Sequence, residues 1–169
     1  LQDLVNDDLE RFQEAFRWDE WKAQIDAAAD RDNQIARRIK RYADNVEESG
    51  SLRALIVEDR HTEGLVGADS DGPDVGTTNF SALARDSLES NKSTESAGGK
   101  FGLGKAVLRI FSGVSTVFFN SVLSEPIPRA DNPRLIGRSR LPQHYRGETR
   151  HNGQGFYGDR RAGEGEHVP

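Results

Sequence analysis

The sequence contains no cysteine, no methionine and no long hydrophobic run. Without cysteine the chain has no disulfide, no zinc–thiolate site and no cysteine nucleophile. Its apolar runs fall far short of the roughly 20 residues that a membrane-spanning helix needs. The first ten residues are acidic and do not resemble a signal peptide. We therefore expect a cytoplasmic protein with no membrane segment, and the lack of methionine suggests a fragment of a longer reading frame.

An excess of basic charge is also missing. The 23 lysines and arginines are outnumbered by 28 aspartates and glutamates, which gives a formal net charge of -5. The overall surface therefore lacks the electrostatic footprint of a nucleic-acid-binding domain. The tail beyond Pro142 is rich in arginine, but acidic residues are interspersed, so nucleic acid is expected only as an indirect partner.

Hydrophobic periodicity predicts helices first and strands later. Apolar residues recur at helical spacing over 1–16 and again over 21–48, where charged residues at 30–32 suggest a break. Residues 52–58 form a short apolar run that predicts a buried strand. Further strands are predicted at 114–123 and 134–140.

This order of elements indicates an α+β fold. We expect a two-layer sandwich in which the helices cover one face of a mixed or antiparallel sheet. Residues 1–142 would form one partial domain, and the polar segment 68–97 is long enough to be a lid or binding loop. Residues 143–169, rich in Gly, Arg, His and Glu, predict loops or the start of a following region.

Glycines cluster in residues 98–104, which we call the glycine-rich loop; they are Gly98, Gly99, Gly102 and Gly104. Lys105 follows, and residues 105–111 predict a helix. A glycine loop that leads into a helix N-terminus presents unpaired backbone N–H groups and the positive end of the helix dipole, which together suit phosphate groups. A flexible surface turn is the alternative.

A P-loop is a second nucleotide-binding interpretation of the same residues. Residues 99–105 fit the pattern G-x-x-x-x-G-K, but Ala106 stands where a P-loop has the Ser or Thr that binds magnesium. The preceding residues 91–97 are polar, whereas a P-loop follows a buried strand. Lys105 can reach a phosphate under either interpretation.

Asp59 follows the predicted strand directly. Its ionised carboxylate only accepts hydrogen bonds, so it suits an exocyclic amine such as adenine N6. Gly64 and Gly67 would let a base or ribose approach the backbone, and Leu65 between them would pack on a flat ring. The alternative is a turn aspartate that bonds its own backbone.

The run VEDRHTEGLVG, a long polar segment and then GGKFGLGKAVLRIFS together resemble the Bergerat-fold, or GHKL, ATPases. That superfamily includes gyrase, heat-shock chaperones, histidine kinases and MutL. The resemblance covers roughly residues 52–123, and weakly 134–158. It implies a hydrolase that binds ATP and magnesium, with residues 68–97 as a mobile lid and other domains of the same longer chain as partners.

The resemblance assigns roles to particular residues. Asp59 matches the adenine-binding aspartate of the first glycine box, Asp-x-Gly-x-Gly, although His61 stands where that box has its first glycine. The following residues are similar to the Thr-x-Gly-Leu-x-Gly form of a divergent bacterial subgroup: Thr62, Gly64, Leu65 and Gly67. Gly99, Gly102 and Gly104 match the second box, Gly-x-x-Gly-x-Gly, which closes over phosphates. Gly98, Leu103 and Lys105 beside them are also expected to bind the nucleotide.

The superfamily's N-box is not visible in this chain. In that family a helix ahead of the first glycine box carries the Asn that binds magnesium and the Glu that activates water. We expect this helix upstream of Leu1. Because general-base catalysis is typically worth about 10²–10⁴-fold, binding would survive in this chain where turnover does not. The alternative is a degenerate interaction module that keeps the fold without the ligand.

Overall fold

The computed structural model describes residues 1–30, 33–67, 78, 80, 103–125 and 132–158, with backbone only at 103–106. Its helices are α1 (Asn6–Phe16), α2 (Trp18–Ala29), α3 (Gln34–Ser49) and α4 (Leu103–Phe111). Its strands are β1 (Gln2–Val5), β2 (Ser51–Ala54), β3 (Thr116–Ser121), β4 (Arg134–Arg140), β5 (His144–Arg146), β6 (Thr149–His151) and β7 (Gln154–Tyr157).

The fold class is α+β, as the sequence predicts, with helices and antiparallel sheets. Within the described residues the strands form separate small sheets, β1–β2, β3–β4–β7 and β5–β6, where the sequence predicted a single one. The three-stranded sheet has β4 at its centre, with Arg138 opposite Val117 on one side and Phe156 on the other.

An aromatic cluster joins the helices to the three-stranded sheet. The ring of Phe16, at the end of α1, stacks on Tyr157 of β7 at 5.1 Å and meets Phe118 of β3 at 6.2 Å. Trp21 of α2 approaches Phe16 edge-on at 5.4 Å. Burial in this cluster raises the pKa of the Tyr157 hydroxyl above its ordinary value. The helices and the sheet therefore share one core.

Charged side chains join α2 to α3 outside that core. Lys22 Nζ lies 3.1 Å from Asp44 Oδ1, and Lys40 Nζ lies 3.0 Å from Asp26 Oδ1, so each lysine crosses to the other helix. The hydrogen bond from Lys40 lowers the pKa of Asp44 below its ordinary value. Asn33 begins α3, since its side-chain oxygen accepts the N–H groups of residues 35 and 36 at 3.0 Å each.

The prediction of a helix over 1–16 is wrong at its start. Residues 2–5 form β1, and Leu4 pairs with Leu52 of β2. Asn6, the first residue of α1, has a φ of 50°, and the chain changes direction there. The apolar side chains that suggested a longer helix serve the strand instead, because a distant partner strand overrides the local pattern. Farther on, the predicted break near 30–32 is confirmed, since α2 ends at Ala29 and α3 begins at Gln34.

The prediction of a buried strand over 52–58 is also wrong in its second half. β2 ends at Ala54, and the side chains of Leu55, Ile56 and Val57 are 62, 57 and 74 % exposed. The register gives the reason, since Ala54 already pairs with Gln2, the first residue of β1. Residues after Ala54 run past the end of that partner, so Asp59 does not directly follow a buried strand.

The loops predicted from residue 143 onward are strands as far as 157. β5 and β6 form a hairpin, and β7 returns to pair with β4, with Gly153 at φ 78° before it. These strands have three or four residues each, too few for a period to appear in the sequence. β4 has the predicted bounds, while β3 is shorter than predicted and α4 begins two residues earlier.

Candidate functional site

The best-described part of the candidate site is the glycine turn, residues 62–67, in which Thr62, Gly64, Leu65 and Gly67 come together. Gly64 has a φ of 79° and Gly67 a φ of 117°. These are conformations that glycine adopts easily and that L side chains rarely adopt. The glycines predicted in the first box are therefore needed for the path of the backbone.

His61 also has a positive φ, of 62°. It occupies the position at which the first glycine box of the GHKL family has glycine. A non-glycine residue in this conformation carries a cost of about 1–2 kcal/mol. The backbone at position 61 thus adopts a glycine-like conformation although the side chain is histidine.

Both glycines of the turn also touch other parts of the chain closely. A Cβ atom on Gly64 would lie 2.7 Å from the carbonyl oxygen of Val122 and 2.9 Å from Ser121 Oγ. A Cβ atom on Gly67 would collide with the side chain of Thr78. The sequence predicted that a base or ribose would approach these glycines closely. At the position where each glycine lacks a Cβ atom, the group that approaches is another part of the protein.

Hydrogen bonds fasten the glycine turn to the end of β3. The N–H of Leu65 donates to Ser121 Oγ at 2.8 Å, and the N–H of Ser124 donates to the carbonyl oxygen of Glu63 at 3.3 Å. Asn132 extends this connection, since its side-chain oxygen accepts the N–H of Leu123 at 3.0 Å. The turn is therefore fixed against β3 although Asp59 before it is exposed.

Arg134, the first residue of β4, lies under the turn and is only 4 % exposed. Its Nη1 donates to the carbonyl oxygens of Leu65, at 2.5 Å, and Gly67, at 2.9 Å. Its guanidinium carbon lies 4.0 Å from the centroid of the Phe80 ring. The N–H of Phe80 in turn donates to the carbonyl of Val66 at 3.1 Å. Sequence analysis missed Arg134, because an arginine after a proline-rich stretch carries no local signal of burial.

Asp59 lies in an exposed stretch that covers residues 55–63. Beside it, Arg60 Nη2 pairs with Glu58 Oε2 at 2.7 Å. The Asp59 carboxylate is accessible to a ligand, and the glycine turn begins three residues after Asp59. Its role in binding adenine stays a prediction.

The predicted phosphate-binding residues fall only partly within the described chain. Gly98, Gly99 and Gly102 lie outside it, whereas Leu103, Gly104 and Lys105 belong to the first turn of α4. The predicted lid, residues 68–97, likewise lies outside the described residues except for Thr78 and Phe80. The part of the prediction that is confirmed is the helix that follows the glycine-rich loop.

Two histidines with no assigned role lie on the β5–β6 hairpin. The rings of His144 and His151 stack with centroids 5.2 Å apart, and His144 Nε2 lies 2.8 Å from Gln24 Oε1 of α2. In the part of the chain that the structure describes, no group of three or more His, Cys, Asp or Glu side chains could hold a metal ion. His144 therefore docks the hairpin on α2, and His151 stacks on His144.

The chain matches no protein-family model, and comparison with curated proteins and with solved structures finds no significant match. Among the described residues, no helix is both long and apolar enough to cross a bilayer.

Proposed function

We propose that this chain is part of the ATP-binding domain of a GHKL-type ATPase and acts as a nucleotide-driven conformational switch in a larger protein. The observation that supports this most is the glycine turn. It combines positive-φ glycines at 64 and 67 with hydrogen bonds to β3 and β4, and it follows a glycine-like backbone at His61. Such a turn is a hydrogen-bonded support that begins three residues after an accessible carboxylate.

Asp59 would recognise the adenine amine. Its carboxylate accepts hydrogen bonds, and it lies in the middle of the exposed stretch 55–63 that leads into the glycine turn. Leu65, which is half-buried, would pack against the base from the turn. This arrangement favours a base with an exocyclic amine over a base with a carbonyl at the same position.

The start of α4 would bind the phosphates. The first N–H groups of a helix have no partner within the helix, and its dipole favours an anion there. Gly104, the last glycine of the glycine-rich loop, and Lys105 after it lie in this first turn. Gly98, Gly99 and Gly102 would supply further N–H groups, and Lys105 would supply a positive charge.

Magnesium and hydrolysis have no assigned residues in the described chain. The metal would be held, and water activated, by the Asn and Glu of the N-box, neither of which has a counterpart among the described residues. When bound, the metal would neutralise charge on the phosphates. A test of the proposal therefore measures binding and not turnover.

The experiment is thermal unfolding with and without ATP for the wild type, Asp59→Asn and Glu58→Gln. A ligand at a hundred times its Kd adds about 2.7 kcal/mol of stability. We expect ATP to stabilise the wild type and Glu58→Gln, which changes a neighbouring exposed carboxylate. Asp59→Asn should lose most of this effect, because the amide has only one acceptor oxygen and no negative charge with which to hold the adenine amine.

Two results would contradict the proposal. If ATP stabilises Asp59→Asn as well as the wild type, the assigned role of Asp59 is wrong. If ATP stabilises none of the proteins, the degenerate interaction module is the correct interpretation. Lys105→Ala distinguishes the P-loop interpretation from the GHKL interpretation. In a P-loop this change should reduce the magnesium-dependent affinity for ATP far more than in a GHKL pocket.

A further inference from the structure

We infer that Arg134 is the positioning residue of the nucleotide site: it fixes the glycine turn so that Asp59 can distinguish an adenine amine from a carbonyl. This inference rests on the proposed function. It adds a residue on β4, distant in sequence from both glycine boxes, that sets base specificity without touching the base.

Three successive carbonyl groups of the glycine turn accept hydrogen bonds from Arg134 or from the backbone of Phe80. Arg134 Nη1 donates to the carbonyl oxygens of Leu65 and Gly67, and the N–H of Phe80 donates to the carbonyl oxygen of Val66 between them. Phe80 itself lies 4.0 Å from the guanidinium carbon of Arg134. Because carbonyls 65, 66 and 67 are all bonded, the end of the turn has a single path.

The side chain at 134 needs the shape of arginine. A buried cation is tolerated only when it is well bonded, and Arg134 is only 4 % exposed. Its guanidinium is planar and weakly hydrated, so it can stack on a ring while it donates to two carbonyls. Lysine keeps the charge but is a compact, strongly hydrated group that cannot stack in this way. Arg134→Lys should therefore leave the charge and loosen the turn.

The turn is the nearest fixed point to Asp59 on its C-terminal side. β2 ends at Ala54, and residues 55–63 are exposed until the carbonyl of Glu63 accepts the N–H of Ser124. The direction of the Asp59 carboxylate therefore depends on how the following turn is held. A looser turn would still allow phosphate binding at α4, but it would reduce the preference for a base with an amine over a base with a carbonyl.

Arg138 provides a matched control on the same strand. It is also buried, at 6 % exposed, and its guanidinium carbon lies 5.7 Å from the centroid of the Phe156 ring. Its register places it opposite Val117 and Phe156, away from the first residue of β4. Arg138→Lys thus changes a second buried arginine beside an aromatic ring, four residues farther along the strand that carries Arg134.

The test measures the affinities of ATP and ITP, which differ in the amine or carbonyl at position 6 of the base. The proteins are the whole chain as wild type, Arg134→Lys, Arg138→Lys and Asp59→Asn. We expect the wild type and Arg138→Lys to bind ATP more tightly than ITP. In Arg134→Lys the ratio of the two affinities should fall about tenfold, which corresponds to the loss of one hydrogen bond to a charged group. A merely structural arginine would weaken ATP and ITP equally and leave their ratio unchanged.

Amide hydrogen exchange without nucleotide is the second readout. Exchange at Leu65 and Phe80 should accelerate in Arg134→Lys and stay at the wild-type rate in Arg138→Lys. If Arg134→Lys fails to fold, Phe80→Leu serves instead, because it removes the ring and keeps the hydrogen bonds of Arg134. It should lower the ATP-to-ITP ratio in the same direction.

The outcomes separate the two levels of the proposal. A wild type that binds no ATP overturns the proposed function, and this inference with it. A wild type that prefers ATP, together with an unchanged ratio in Arg134→Lys, overturns the inference alone. Faster exchange at Leu65 with an unchanged ratio also overturns it, since Arg134 would then be only structural.

Discussion

The helical region α1–α3 and the segment 55–67 are ordered by different forces. In the helices, Phe16, Ile25 and Ala36 are buried to within 1 % exposure, and apolar packing determines the arrangement. In the segment, side chains are exposed up to residue 63, and the glycine turn that follows is fixed by bonds to its backbone. Changes in the first region should alter stability through lost packing, and changes in the second should alter it through backbone strain.

Phe16→Ala should have the largest effect. Its ring is only 1 % exposed and contacts rings from α1, α2, β3 and β7. Replacing a buried Phe by Ala costs about 3–5 kcal/mol in unfolding free energy. Urea unfolding measures the loss, with Ile35→Ala, at a 58 % exposed position, as the control that should change by less than about 0.5 kcal/mol. Equal losses would show that the core is not where the structure places it.

Gly64→Ala should have the next largest effect, in the second region. The new methyl group would combine a positive φ with a clash against the carbonyl of Val122, so we expect a loss of about 2 kcal/mol or more. Gly50→Ala is the matched control, since Gly50 has a φ of 61° and no atom within 4 Å of its Cβ position. It isolates backbone strain and should cost only about 1 kcal/mol. Similar losses at the two positions would argue against close packing at Gly64.

His61→Gly should act in the opposite direction. It relieves a left-handed backbone cost of about 1–2 kcal/mol and adds about 0.5–1 kcal/mol of unfolded-state entropy. The net result should be a gain in unfolding free energy of about 0.5 kcal/mol. Thr62→Gly, next along the chain without a positive φ, should be destabilising. A loss at position 61 as large as at 62 would contradict the backbone conformation of His61.

The smallest expected effect is a pH dependence at the β5–β6 hairpin. Burial, then His144 and Arg146, lower the pKa of His151 below its ordinary 6.5. Between that lowered value and 6.5 the unfolded chain binds more protons, so stability should fall as the pH drops through this window. Urea unfolding measures the free energy of unfolding at pH 7 and at pH 5. The decrease between these pH values should be smaller in His151→Gln than in the wild type. An unchanged fall would assign the pH dependence to other groups.

The sequence predicted what local patterns encode. α2 and α3 follow from helical periodicity that charged residues interrupt at 30–32, and β4 has the predicted bounds between Pro133 and Pro142. β1 and the end of β2 were wrong because their extent depends on pairing between distant segments. The glycine positions of the turn were predicted from the residue type. Its supports, Ser121 and Arg134, were not, because their contacts span the sequence and leave no local signal.

The central claim is that the glycine turn is part of a nucleotide site. Its most direct test is a titration of ATP into ¹⁵N-labelled protein, followed by the amide signals. The account predicts saturable shifts at Gly64, Leu65 and Gly67 that disappear in Asp59→Asn. Saturable shifts confined to other residues, or no saturable shift at all, would contradict it.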